Sequence, residues 1–171
     1  MNLREKIRVI EDFPEAGIKF KDITTLLQDP QAYRYVIEQF KERYQDYEID
    51  ALVGIEARGF LMGAPLALEL DKPFILARKE GKLPAEVVKA EYDLEYGSNV
   101  LEMHQDAFTP GDKILVVDDL LATGGTAKAT CDLIQKLEGE VVELAFLLEL
   151  AYLEGRKKLE AYDIYSIIID E

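Results

Sequence analysis

The chain has no tryptophan, one cysteine and one histidine in 171 residues. The single Cys131 excludes an internal disulfide framework and any multi-cysteine metal site. The single His104 leaves no histidine-rich metal cluster and argues against a Ser-His-Asp triad. Apolar runs stop far short of the roughly 20 residues that a membrane-spanning helix needs. The amino terminus, Met1-Asn2-Leu3-Arg4-Glu5-Lys6, has no apolar signal core, so it reads as mature cytoplasmic sequence with no membrane partner. Positive charge is also scarce. Lys and Arg number 20 against 34 Asp and Glu, a net charge of −14. General nucleic-acid binding needs a basic surface to neutralise phosphates, and the composition argues against that class. An acidic chain that binds phosphate must do so locally, with backbone N–H groups, a few clustered cations or a metal ion.

What is present is an ordinary globular mixture, 49% hydrophobic and 32% charged. The length suits one domain, residues 1–171, with a core large enough to cover both faces of a sheet. Residues 3–9 read as a short amphipathic helix, followed by an irregular segment containing Pro and Gly over 12–22. From Pro30, apolar residues at Tyr33, Val36, Ile37, Phe40 and Tyr44 form one helical stripe, with Asp29 as its cap. Runs suited to strands at 50–55, 73–77, 99–103, 113–117 and 164–169 alternate with helical patterns at 59–70 and 124–137. The run 140–148 fits helix or strand on periodicity, and its length and place after a helix favour strand. This alternation predicts an α/β single domain with a mostly parallel central sheet flanked by helices. In such sheets ligands bind beyond the carboxyl ends of the strands.

One strand-to-helix junction carries unusual chemistry. The run Ile114-Leu115-Val116-Val117 ends in Asp118 and Asp119, and then comes Leu120-Leu121-Ala122-Thr123-Gly124-Gly125-Thr126 before the helix. Gly124 and Gly125 permit backbone angles that other residues resist, so successive N–H groups can converge on one anion. The helix start adds free N–H groups and a positive dipole end, and Thr123 and Thr126 add hydroxyl donors. Asp118 and Asp119 repel a phosphate but suit ribose hydroxyls or a divalent ion. Neither the Gly-Lys-Ser/Thr phosphate loop nor the Gly-x-Gly-x-x-Gly dinucleotide pattern is present. The junction therefore reads as a site for a phosphorylated ribose.

Residues 116–127 resemble the signature of the type I phosphoribosyltransferases, which bind 5-phosphoribosyl 1-diphosphate. Four further stretches match the adenine-using branch of that family in the same order. They are Asp12-Phe13-Pro14 through Phe20-Lys21-Asp22, Gly54-Ile55-Glu56-Ala57-Arg58-Gly59-Phe60, Arg78-Lys79-Glu80-Gly81-Lys82-Leu83-Pro84, and Tyr92-Asp93-Leu94-Glu95-Tyr96-Gly97. The resemblance implies the type I phosphoribosyltransferase fold, with residues 1–30 as a small base-binding hood and 78–97 as a mobile catalytic loop.

By the same resemblance, Ala122, Thr123, Gly124, Gly125 and Thr126 hold the 5′-phosphate, and Asp118 and Asp119 face the ribose hydroxyls. Glu56, Ala57, Arg58 and Gly59, with Arg78, Lys79 and Lys82, surround the diphosphate. Glu95 is the acid/base candidate, aided by Arg58 and Lys79. Phe20 stacks on the base while backbone groups of Lys19 and Lys21 read its edge. The implied reaction joins adenine and 5-phosphoribosyl 1-diphosphate to give AMP and diphosphate. Mg²⁺ is the implied cofactor, held mainly by substrate oxygens, and a homodimer is the implied assembly. Two rivals stay open: a sister enzyme for another base, and a regulator that senses the sugar diphosphate and binds nucleic acid. The acidic balance weighs against the second.

Overall fold

The computed structural model describes residues 1–94 and 97–171, the side chains of residues 93–97 excepted. Its first elements are small. A 3-10 turn over Leu3–Lys6 leads into β1 (Arg8–Glu11), which pairs antiparallel with β2 (Lys19–Asp22). The helix expected over 3–9 is thus one short turn followed by a strand. After α1 (Thr24–Gln28) comes α2 (Pro30–Tyr44). Asp29 caps α2 by accepting from the N–H groups of Gln31 at 3.0 Å and Ala32 at 3.2 Å. Pro30 fills a first-turn position where no donor is needed. Val36, Ile37, Phe40 and Tyr44 are buried as the stripe predicts, and Ala32 joins them.

Seven strands form the central sheet: β3 (Ala51–Ile55), β4 (Phe74–Lys79), β5 (Val87–Leu94), β6 (Gly97–His104), β7 (Lys113–Leu121), β8 (Glu140–Leu150) and β9 (Ile164–Asp170). Their order is β5-β6-β4-β3-β7-β8-β9. The β4–β3–β7–β8–β9 pairings are all parallel, while β6 runs antiparallel to both β4 and β5. The helix α3 (Gly59–Glu69) links β3 to β4, and α4 (Gly125–Lys136) links β7 to β8. Side chains of β7 sort by alternation, as a pleated strand requires. Leu115 and Val117 face the core under α2 and α3, and Ile114 and Val116 face the core under α4.

Two differences from the sequence reading bear on the site. The strand expected to stop at Val117 continues to Leu121, because β8 goes on pairing with it: Asp118 lies opposite Phe146, and Leu121 opposite Glu149. Asp118 and Asp119 are therefore strand residues. The stretch 78–97, expected as a loop, carries β5. Ala90 is buried and Val88 and Tyr92 pack against the core between outward Lys89 and Glu91, a period of two that marks a strand.

At the amino end of β8, far from the site, Glu143 is nearly enclosed. Arg43 donates to it from Nε at 2.8 Å and from Nη2 at 2.6 Å, and the Tyr44 hydroxyl donates at 2.6 Å. The Arg43 guanidinium lies 4.2 Å from the centre of the Tyr165 ring.

Candidate functional site

The carboxyl ends of β3, β4 and β7 border one cavity of 360 Å³, lined among others by Glu56, Arg58, Lys79, Asp118, Asp119 and Thr123. The register explains the meeting. Gly54 pairs with Val117 on one side and with Leu76 on the other, so residues that follow each strand emerge side by side. Gly124, with φ of 78°, turns the chain into α4 and supplies no side-chain cap. The first N–H groups of α4 are left for an anion, with the positive end of the helix behind them. Ala122, Thr123, Gly124 and Thr126 line the cavity, and Gly125 is the first residue of α4.

Charge in the cavity is arranged asymmetrically. Asp119 is almost fully buried and takes an ion pair from Arg58 Nε at 2.9 Å. Asp118 is buried against the start of α3. Burial, and next the neighbouring Asp119 carboxylate, push its carboxyl well above the usual carboxylate range, while a 2.9 Å hydrogen bond from the Asp119 N–H pulls the other way. Gly59 makes this approach possible. A Cβ there would stand 2.7 Å from the Val117 carbonyl and 2.9 Å from Asp118 Oδ1.

At the second junction Arg58 pairs with Asp119 rather than with nearby Glu56. Glu56 instead accepts from Arg78 Nε at 3.2 Å and from the Lys79 N–H at 2.9 Å. The Glu56–Ala57 peptide is cis. Arg78 also donates to the Lys82 carbonyl at 3.3 Å, so its guanidinium braces the turn after β4. Ala57 and Lys82 are exposed, and neither they nor Arg78 line the cavity, whereas Lys79 does. Glu95 lies outside the described residues.

A second cavity, of 640 Å³, lies on the other side of Leu120, which lines both. Lys19, Phe20 and Lys21 of β2 form one side, with Lys21 paired to Asp170 at 2.8 Å. Phe13 meets Phe20 edge to face at 5.2 Å. Leu150, Tyr152 and Leu153 form another side. These three, and Asn99 in the first cavity, escaped the sequence reading, which included Tyr92 only as part of a matched stretch. The carboxyl-end rule applied to the run through Leu150 would have found the former. Tyr92 and Asn99 face each other across β5 and β6, a pairing that no local motif announces.

Residues 22–170 match the model of the phosphoribosyl transferase domain. The adenine phosphoribosyltransferase of Halothermothrix orenii is 59% identical, over 98% of this chain and 99% of that protein. The chain belongs to the adenine phosphoribosyltransferase branch of that family. Among solved family members, the adenine phosphoribosyltransferase of Thermoanaerobacter pseudethanolicus is 50% identical with a TM-score of 0.94, covering 98% of this chain and 97% of its own. That of Saccharomyces cerevisiae, complexed with an imino-altritol bisphosphate and adenine, is 38% identical with a TM-score of 0.91, over 96% and 95% of the two chains. The mostly parallel seven-stranded sheet with its flanking helices is the fold expected of this family.

Proposed function

We propose that the chain transfers the 5-phosphoribosyl group from 5-phosphoribosyl 1-diphosphate to adenine, giving AMP and diphosphate. The observation that carries this reading is the pair of cavities meeting at Leu120. One offers free helix N–H groups and two carboxylates, the donors and acceptors of a phosphorylated ribose. The other offers an aromatic ring and aliphatic side chains, the surroundings of a flat base.

In this scheme Ala122–Gly124, Gly125 and Thr126 hold the 5′-phosphate, and Asp118 and Asp119 accept from the ribose hydroxyls. Arg58 and Lys79, with the backbone of 56–59, neutralise the diphosphate, while Arg78 and Lys82 shape the turn beside it. Phe20 stacks on adenine, and the backbone of Lys19 and Lys21 reads its edge. The bond from C1′ to the diphosphate oxygen breaks, and its electron pair leaves on the diphosphate. Adenine N9 forms its bond on the opposite face, and its proton passes to a base, the role given to Glu95. Alignment and electrostatic stabilisation supply the rate, with no covalent enzyme intermediate.

Among the described residues no group of three or more His, Cys, Asp or Glu is arranged to hold a metal. By the family resemblance Mg²⁺ would be held mainly by the substrate's own oxygens, near Asp118 and Asp119, where it would offset negative charge. Residues 1–30 serve as the hood over the base, and the stretch 78–97, which carries β5, as the cover over the reaction centre. We place the chain in the cytoplasm, in keeping with its buried, unpaired Cys131. Among the described residues no helix is long and apolar enough to cross a membrane. A homodimer follows from the resemblance, and exposed Leu61 and Leu68 on α3 are apolar surface available to a second copy.

The test is an assay of adenine, hypoxanthine, xanthine and uracil with 5-phosphoribosyl 1-diphosphate and Mg²⁺. Adenine should be turned over at a kcat/KM at least about a hundredfold above the others, the scale of hydrogen-bond discrimination in a site built for one base. Preferential use of another base would replace the reading with a sister enzyme.

A further inference from the structure

From the end of β8 the chain lines the second cavity and then packs against the loop that borders the first. Leu150, Tyr152 and Leu153 line the second. Glu154, with φ of 54°, then turns the backbone, and Gly155 comes to rest on the phosphate loop. A Cβ on Gly124 would lie 2.6 Å from the Gly155 carbonyl oxygen. A Cβ on Gly155 would collide with the Ala122 carbonyl oxygen and stand 3.0 Å from Leu121 Cδ1. Two bare stretches of backbone are therefore in direct contact, with no room for a side chain between them.

The next residue holds that contact in place. Arg156 forks onto Glu149, with Nε 2.6 Å from Oε1 and Nη2 2.7 Å from Oε2. Glu149 is nearly enclosed, 5% exposed at its side chain, and also accepts from Ser166 Oγ at 2.6 Å. It stands opposite Leu121 in the β7–β8 register, at the level where the phosphate loop begins. A bidentate Arg–carboxylate pair is directional as well as strong, so it fixes the orientation of the Gly155–Leu159 turn.

We propose that Gly155 and Arg156 are positioning residues: with Glu149 and Ser166 they form a brace that sets the phosphate loop and ties it to the wall of the base cavity. This rests on the proposed function, since it assigns the loop Ala122–Thr126 to a phosphate. Neither residue touches the substrate in this scheme. A pair that only held the fold together would affect melting temperature and leave ligand affinity of the folded protein alone, whereas a brace changes affinity.

The experiment titrates AMP, and separately adenine, into the parent, Arg156→Gln, Arg156→Lys and Ser166→Ala by calorimetry, at a temperature where circular dichroism shows each chain folded. A parent that binds neither ligand refutes the functional reading itself, before any variant is compared. In a binding parent, Arg156→Gln should weaken AMP about tenfold to a hundredfold, the scale set by small misplacement of a binding group, and weaken adenine less. Arg156→Lys, which keeps the charge and loses the fork, should fall between. A folded Arg156→Gln that binds AMP as the parent does overturns the brace, whatever its melting temperature. Should Arg156→Gln fail to fold, Ser166→Ala decides the matter. It removes one hydrogen bond and spares the fork, and should weaken AMP about threefold. Parental AMP affinity in that variant overturns the proposal as well.

Discussion

Arg58 reaches across the mouth of the first cavity to Asp119, Nε to Oδ2 at 2.9 Å, while the adjacent Asp118 has no basic partner at ion-pair distance among the described residues. Two neighbouring carboxylates thus have different surroundings: one is paired with a guanidinium, and the other sits where burial and its neighbour favour the protonated form. Any proton held on Asp118 lessens the negative charge that meets an incoming diphosphate.

This asymmetry has a consequence for stability. The folded-state pKa of Asp118 is raised above its unfolded value by burial and by Asp119. The folded chain therefore holds a proton that the unfolded chain releases, and stability falls as pH rises from the ordinary carboxylate range toward that raised value. Asp118→Asn, which keeps the shape without the charge, should raise the melting temperature at pH 7. The gain should shrink toward zero as pH is lowered to about 4, the ordinary range for aspartate. AMP affinity should drop in the same variant. A melting temperature below that of the parent at pH 7 would contradict the raised pKa of Asp118.

Gly59→Ala forces a methyl against the Val117 carbonyl and Asp118 Oδ1. Because both neighbours belong to a central strand, the start of α3 must move and carry Arg58 with it. The expected result is a loss in kcat/KM for 5-phosphoribosyl 1-diphosphate of about a hundredfold, as for reacting groups misplaced by 1 Å. Steady-state kinetics at saturating adenine provide the check.

Glu95→Gln should lower kcat about 10²–10⁴-fold with little change in 5-phosphoribosyl 1-diphosphate affinity, the range for loss of one acid/base group. Full turnover in the variant would remove Glu95 from the chemistry.

Arg43→Met tests the fold apart from the site. It strips Glu143 of its cation and leaves a carboxylate that is 6% exposed beside Tyr44. The cost should be about 2–4 kcal/mol, below that of a fully buried pair because Arg43 is itself partly exposed. For a chain of this length the melting temperature should fall about 5–15 °C. At low temperature kcat should be unchanged, since Glu143 sits at the opposite ends of the strands from the cavities.

What could be read in advance follows the distance over which each feature is encoded. Gly124, Thr126, Asp118 and Asp119 lie within nine consecutive residues, so the local string alone shows that they come together at one junction. Residues 140–148 resolved as a strand because length decided where periodicity did not. The partner of Arg58 was not legible. Glu56 is two residues away in sequence, but Asp119 is brought close by the pairing of Gly54 with Val117. Likewise β5 escaped notice although Val88, Ala90 and Tyr92 alternate with polar neighbours, because its charged flanks resemble a solvated loop. The turn at Gly155 carries no motif at all. Its place against Gly124 comes from the fork between Arg156 and Glu149.

The four-residue overrun of β7 past Val117 puts Leu120 where it borders both cavities. In the proposed scheme Ile18, which borders the second cavity and not the first, is therefore a position where replacement should change base preference and leave the grip on the sugar intact.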